Sequence, residues 1–207
     1  MSTLKTTNLQ HPSAGVPAIV LDADGDATYA GVHDFSAATV TGAPQGLVHI
    51  ATETFSAVSS VSIDNCFTST YENYLCVIGG SAGSTDAEIR MKLRASSTDL
   101  STGYYWAQTY MNFGSASGGF LNGSNNSSMF PSYSTANGAN GTVTINSPQL
   151  SLPTIFNWQG NNAGTGGNFR SGGGFVNNSN SYDGLTISVS TGTFTGTIRI
   201  YGYRNEA

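Results

Sequence analysis

The sequence predicts an all-β protein: an antiparallel β-sandwich, jelly-roll-like, preceded by an extended N-terminal arm. Three observations predict it. Charged residues are 9% of the 207-residue chain, against about 25% in an average soluble protein, so there is little Lys or Glu to build solvated helix faces. Glycine is abundant, at 26 residues, and Ser, Thr and Asn fill the remaining polar places. Gly, Asn and Ser favour turns, while Thr, Val, Ile and Tyr favour strands. Lastly, several short segments alternate apolar and polar residues at period two between turn residues, which is strand periodicity.

Residues 1–45 read as arm and linker, and residues 46–207 as the sandwich. Thr6–Ala14 is polar, and Pro12 and Pro17 prevent regular ladder bonding around them. Val16–Leu21 is a short strand followed by a turn over Asp22–Asp26. Lys5 is the only Lys, Arg, Asp or Glu before Asp22. The apolar residues Leu4, Leu9, Val16, Ile19 and Leu21 are therefore candidates for docking the arm on another subunit by strand addition. Val32–Pro44 is small and turn-rich, a linker.

From Leu47 the strand signals become dense. Leu47–Ala51 is apolar, and Phe55–Phe67 runs close to period two with one break. Tyr74–Ile78 is a nearly continuous apolar run, as in a buried strand. In Glu88–Arg94, Ile89, Met91 and Leu93 alternate with Glu88, Arg90, Lys92 and Arg94, so one face meets a core and the other meets water or a partner. Tyr104–Met111 is an aromatic strand, and Thr142–Asn146 and Thr154–Trp158 are shorter ones. Leu185–Ser190 and Thr197–Tyr203 close the chain, with Gly192 and Gly196 between them predicting a hairpin. No repeat period points to a solenoid.

Leu100–Phe169 contains no Asp, Glu, Lys, Arg or His. The preferred reading is long ordered loops packed against neighbouring subunits. The sharper one is a neutral recognition surface for a glycan.

A net charge of −5 and a pI near 4.9 leave no basic face for phosphates, so nucleic-acid binding is not expected. No stretch reaches the roughly 20 apolar residues of a membrane helix, and membrane insertion is not expected. The start of the chain lacks the apolar run of a signal peptide, so synthesis in a cytoplasm is expected. Cys66 and Cys76 lie in successive apolar segments that antiparallel pairing could bring together. Cytoplasmic synthesis favours two free core thiols over a disulfide.

The chemistry-bearing residues point away from catalysis. Asp22-Ala-Asp-Gly-Asp26 resembles a calcium loop only in its alternation. With Asp22 as position one, Ala27 stands where the turn Gly belongs and His33 where the bidentate Glu belongs. His11, His33 and His49 lack zinc-ligand spacing with either cysteine. A Ser-His-Asp triad has no Gly-x-Ser-x-Gly elbow to support it. Past Asp99 the only carboxylate side chains are Asp183 and Glu206, and Asp64 and Glu72 flank a turn-like segment, a poor basis for the paired carboxylates of a glycosidase. No metal, cofactor or enzymatic activity is expected. Gly172–Gly174 reads as turns or close-packed backbone. Tyr104, Tyr105, Trp106, Tyr110 and Trp158 are the candidate contact residues: packing in the core or at a subunit interface is the preferred reading, and stacking a glycan the alternative. Alternation puts Tyr104, Trp106 and Tyr110 on one face and Tyr105 on the other, and one of those faces is core.

Three segments resemble a known group of proteins. Met1-Ser-Thr-Leu-Lys-Thr-Thr-Asn-Leu-Gln-His-Pro-Ser-Ala14, running on to Pro17–Asp26, resembles the N-terminus of many tailed-phage virion proteins, notably those of cyanophages. Cys66-Phe-Thr-Ser-Thr-Tyr-Glu-Asn-Tyr-Leu-Cys-Val-Ile78 looks like the F-x-S-x-Y-D-N-Y strand–turn–strand of phage-fibre sandwich domains, with Glu72 where such motifs often have Asp. Thr195-Gly-Thr-Ile-Arg-Ile-Tyr-Gly202 is similar to their last strand. The uncharged middle is outside the resemblance. The resemblance implies a tail-fibre, head-fibre or capsid-decoration protein, commonly a homotrimer, assembled in the host cytoplasm into the virion. Its arm would dock on other virion proteins of tail or capsid, and its sandwich would contact the host surface. It carries over no catalytic residue. Two alternatives are a capsid cement protein and a glycan-binding module without a virion-anchoring role.

Overall fold

The computed structural model describes residues 8–9, 19–21, 27–29, 46–164 and 166–204. The chain divides into two units, Met1–Pro44 and Gln45–Ala207.

In the first unit, β1 (Asn8–Leu9), β2 (Ile19–Leu21) and β3 (Ala27–Tyr29) form a small antiparallel sheet in the order β1-β2-β3. Leu9 pairs with Ile19, and Ile19 with Tyr29. The strand expected at Val16–Leu21 is present over Ile19–Leu21 and finds its ladder within its own unit. Leu4, Val16, the turn at Asp22–Asp26 and the linker Val32–Pro44 lie outside the described residues.

The second unit is a two-sheet antiparallel sandwich, and no described residue is helical. Its strands are β4 (Leu47–Val58), β5 (Ser60–Ile63), β6 (Asn73–Gly83), β7 (Ala87–Ala95), β8 (Thr98–Asp99), β9 (Tyr104–Asn112), β10 (Gly118–Asn126), β11 (Met129–Ser134), β12 (Ala139–Asn146), β13 (Ile155–Asn162), β14 (Asn168–Val176), β15 (Gly184–Val189) and β16 (Phe194–Tyr203). The larger sheet has the order β10-β9-β14-β13-β12-β6-β16-β4, and the smaller β11-β7-β15-β5, with β8 paired to β7. The chain crosses repeatedly between sheets, as in a jelly roll, but β12, β13 and β14 form a plain meander within the larger one.

Three expectations are corrected. The segment Phe55–Phe67 is not one interrupted strand. β4 lies in the larger sheet and β5 in the smaller, and the chain turns the corner with Ala57 at φ 51°. Leu185–Ser190 and Thr197–Tyr203 do not make a hairpin. β15 pairs with β5 and β7, and β16 with β4 and β6. Gly192 sits at the sheet-to-sheet corner with φ 70°, a conformation that glycine adopts at little cost, while Gly196 lies within β16 and pairs with Phe55. Finally, the uncharged stretch is not long loops. It folds into β9 to β13 and enters β14.

The core lies between the sheets. Ile89, Met91 and Leu93 of β7 are fully buried, as their alternation predicts. They share the core cluster with Tyr74, Cys76 and Ile78 of β6, Val143 and Ile145 of β12, Phe156 of β13 and Ile198 and Ile200 of β16. Each such side chain contributes about 1.5–3 kcal/mol by leaving water. Both cysteines are free and buried. Cys66 Sγ donates to the Ile63 carbonyl at 3.6 Å, and burial pushes its thiol up to about 12.

The larger sheet has twice as many strands as the β11-β7-β15-β5 path of the smaller sheet. Arg170 on β14 closes the core near the β11 edge, and it is 6% exposed. Its guanidinium carbon lies 4.6 Å from the ring centre of Phe130 and 5.3 Å from those of Tyr110 and Tyr133. Nε donates to Asn168 Oδ1 at 2.8 Å, while Nη1 has no partner among the described residues. Desolvation lowers the pKa of this cation, and the aromatic faces offset part of that cost.

Candidate functional site

Strands β12, β13, β14, β9 and β10 lie side by side in the larger sheet, and Arg170 is the only charged residue in them. Arg170 is buried, so their outward residues are all uncharged. Antiparallel register sets directly paired residues on the same face. The outward residues therefore line up in four cross-strand rows. Asn146, Ile155, Phe175 and Tyr105 form the first row. Thr144, Asn157, Gly173, Ala107 and Asn122 form the second. Thr142, Gln159, Ser171, Thr109 and Phe120 form the third. Asn140, Asn161, Phe169, Met111 and Gly118 form the fourth.

The outer rows carry bulk, and the middle rows are lined by small or polar residues apart from Phe120. In the first row the rings of Tyr105 and Phe175 stack 5.3 Å apart, with an interplanar angle of 10°. In the fourth row Phe169 pairs directly with Met111, and Met111 is 65% exposed. Phe120, at the edge strand, is 87% exposed. The result is a shallow trough that crosses the strands between two apolar banks. Two open depressions of about 410 and 320 Å³ lie along it and share Ser171. A third, of about 300 Å³, adjoins it at Thr142, Gln159 and Phe169.

The polar groups of the trough are largely unengaged. Asn140 and Asn146, at its margins, bond to backbone groups of Gly80 and Ile155. Among the described residues no hydrogen bond takes up the side chains of Asn122, Thr142, Asn157, Gln159 or Asn161. These amides and hydroxyls offer donors and acceptors together and no net charge.

Only one of the five candidate contact residues, Tyr105, belongs to this face. Tyr104 is core: its hydroxyl accepts from Leu93 N at 2.7 Å, and burial pushes its phenol up. Trp158 is also core, 2% exposed, and its Nε1 donates to Gln108 Oε1 at 3.4 Å. Trp106 and Tyr110 point inward, Trp106 edge-on to Phe130 and Tyr110 beside Arg170. Tyr104, Trp106 and Tyr110 therefore share the inner face of β9, packed toward the core and not on a sugar-stacking surface. The sequence reading missed Phe169, Phe175, Asn157 and Gln159. The signal for the last two was present in Ile155–Asn162, whose outward positions alternate Ile, Asn, Gln, Asn.

Asp64 and Asp99 meet at Arg94, which is ion-paired to both, and Asp183 accepts from Ser96 N at 2.9 Å. No group of three or more His, Cys, Asp or Glu side chains is placed to hold a metal among the described residues. No family model, curated protein or solved structure matches the chain.

Proposed function

We propose that this chain is a non-catalytic structural component of a tailed-phage particle. Its N-terminal unit joins it to other virion proteins, and the outer face of its larger sheet meets an uncharged partner. The observation that carries the contact surface is the charge-free outer face of the five neighbouring strands. The virion setting is supported by the resemblance of Met1–Asp26, Cys66–Ile78 and Thr195–Gly202 to phage appendage proteins. A separate N-terminal unit preceding a sandwich suits an anchored appendage. A homotrimer is part of this proposal and comes from the same resemblance.

The test is direct. An antibody raised against the sandwich should label intact particles purified from the infected host. Deleting residues 1–44 should abolish incorporation while leaving the β circular-dichroism spectrum intact. Particles that carry no label overturn the virion reading.

A further inference from the structure

We infer that the trough on the larger sheet binds a neutral polysaccharide lying across the strands. This rests on the reading of that face as a contact surface, and it names the chemistry of the ligand.

Charge is the first argument. A uronic-acid or sialylated chain needs a cation, and the nearest positions on β12, β13, β14, β9 and β10 supply none. Arg170, the one cation in these strands, is buried on the inner side. A charged ligand confined to these five strands would lose its hydration and gain no ionic partner, since the outward cation in line with them, Arg199 on β16, stands two strands beyond Thr142. A neutral polyol loses much less.

The distribution of polarity is the second argument. A protein–protein patch has an apolar centre and a polar rim. Here the order is reversed: Asn157, Gln159, Ser171 and Thr109 hold the centre and Phe169, Phe175 and Met111 the margins. Pressing a second copy of this chain on that centre would strand free amides unless each met a partner, at about 1–3 kcal/mol per group left unpaired. A sugar chain carries hydroxyls that both donate and accept, so every amide in the trough can be paired. The apolar banks then cover the C–H faces of the rings.

Direction is the third argument. Neighbouring strands are about 4.8 Å apart, a spacing close to the rise of one sugar unit in an extended chain. Rows that run across the strands thus repeat their amides and hydroxyls at nearly the interval at which a polysaccharide repeats its own hydroxyls. The five strands span roughly 19 Å, room for a short run of units. Residues 107, 109, 171 and 173 in the floor are Ala, Thr, Ser and Gly, which leaves the chain space to lie flat.

The experiment is affinity electrophoresis of the full-length protein through gels containing, one at a time, a neutral glucan, galactan or mannan, a uronic-acid polymer, or a sialylated glycoprotein. Retention by at least one neutral polymer and by neither acidic one is expected. The double variant Asn157→Ala/Gln159→Ala should weaken retention about tenfold or more, as expected for the loss of one or two good hydrogen bonds. Its thermal midpoint should not change. Ser171→Arg, which places a bulky cation in the floor, should abolish retention. Retention that is indifferent to these variants overturns the inference, as does retention by an acidic polymer alone. If no polymer retards the protein and Ser171→Arg lowers its mass in light scattering, the face is an interface between copies. The inference then fails while the contact surface stands. If no polymer retards it and Ser171→Arg changes nothing, both fail, and particle labelling still decides the virion setting on its own.

Discussion

On the smaller sheet β7 turns Glu88, Arg90, Lys92 and Arg94 away from the core, and Asp64 and Asp99 close on Arg94 beside them. On the larger sheet five adjoining strands turn out no charge at all. The two faces cover the same core and have the same alternation, yet they meet their surroundings in opposite ways. The charged face holds several ions whose water is expensive to remove, so it resists being covered. The neutral face holds amides, hydroxyls and rings, whose water can be exchanged for a ligand at small cost. Charge is therefore concentrated where contact would be unwelcome and withheld where it would be needed.

The largest effects are expected beneath the faces, where the two sheets are locked by opposite means. Under the charged face Leu93 is fully buried, and Leu93→Ala should cost about 2–5 kcal/mol in denaturant unfolding. Under the neutral face β14 is locked by the absence of side chains. A Cβ on Gly172 would lie 2.6 Å from Ala107 O and from Gln108 Cβ, and 2.8 Å from the Trp158 ring. Gly172→Val should cost about 1–3 kcal/mol by overpacking. A Leu93→Ala cost near zero would mean the β7 register is wrong. A neutral Gly172→Val would mean that β14 does not approach β9 and Trp158 this closely.

These glycines also explain what was legible in the sequence. Alternation identified β7, because its inward positions are Ile, Met and Leu. It identified the first half of β13 and the second half of β12 for the same reason, while a nearly continuous apolar run marked β6. It failed from Gly160 onward and across Gly172–Gly174, where inward positions are glycine. A Cβ on Gly160 would lie 2.7 Å from the Pro131 carbonyl oxygen and 2.8 Å from Ser132 Oγ. The opposing strand fills the space that an apolar side chain would occupy, so strand alternation reads as a turn. The trough was less legible still. Tyr105 and Phe175 are far apart in the chain and meet only through the register of β9 with β14. Alternation placed Tyr105 opposite Tyr104 and Trp106 but did not say which side was solvent.

A smaller effect is expected on the charged face itself. Arg94 Nε donates to Asp64 Oδ1 at 2.7 Å, and this partner holds the Asp64 carboxyl below its ordinary value of 3.8. The ionised form is thus favoured more in the folded chain than in the unfolded one. That stability is present above the ordinary value and is lost as pH falls through the folded one. Arg94→Met should therefore be less stable than the parent at neutral pH, by about 1 kcal/mol given the exposure of Asp64. The difference should shrink as the pH is lowered below about 4, as read by thermal melts across that range. A gap that stays constant or widens in acid would show that Arg94 acts by packing and not by pairing.

The smallest effect on stability is expected on the neutral face, and that smallness sharpens the comparison. Asn157 and Gln159 are exposed, stand on an outward row, and have no side-chain hydrogen bond to another described residue. Truncating them removes no buried area and leaves no buried group unpaired. Surface substitutions of this kind usually stay within about 0.5 kcal/mol. Asn157→Ala and Gln159→Ala should each leave the denaturation midpoint unchanged within that margin, in contrast to Arg94→Met at neutral pH. Alanine also fits a strand less well than Thr or Val would, so a slight loss is acceptable and a gain is not required. A loss above about 1 kcal/mol in either variant would mean that the amide is holding the sheet together. The neutral face would then be a structural ladder, and its lack of charge would owe nothing to a ligand.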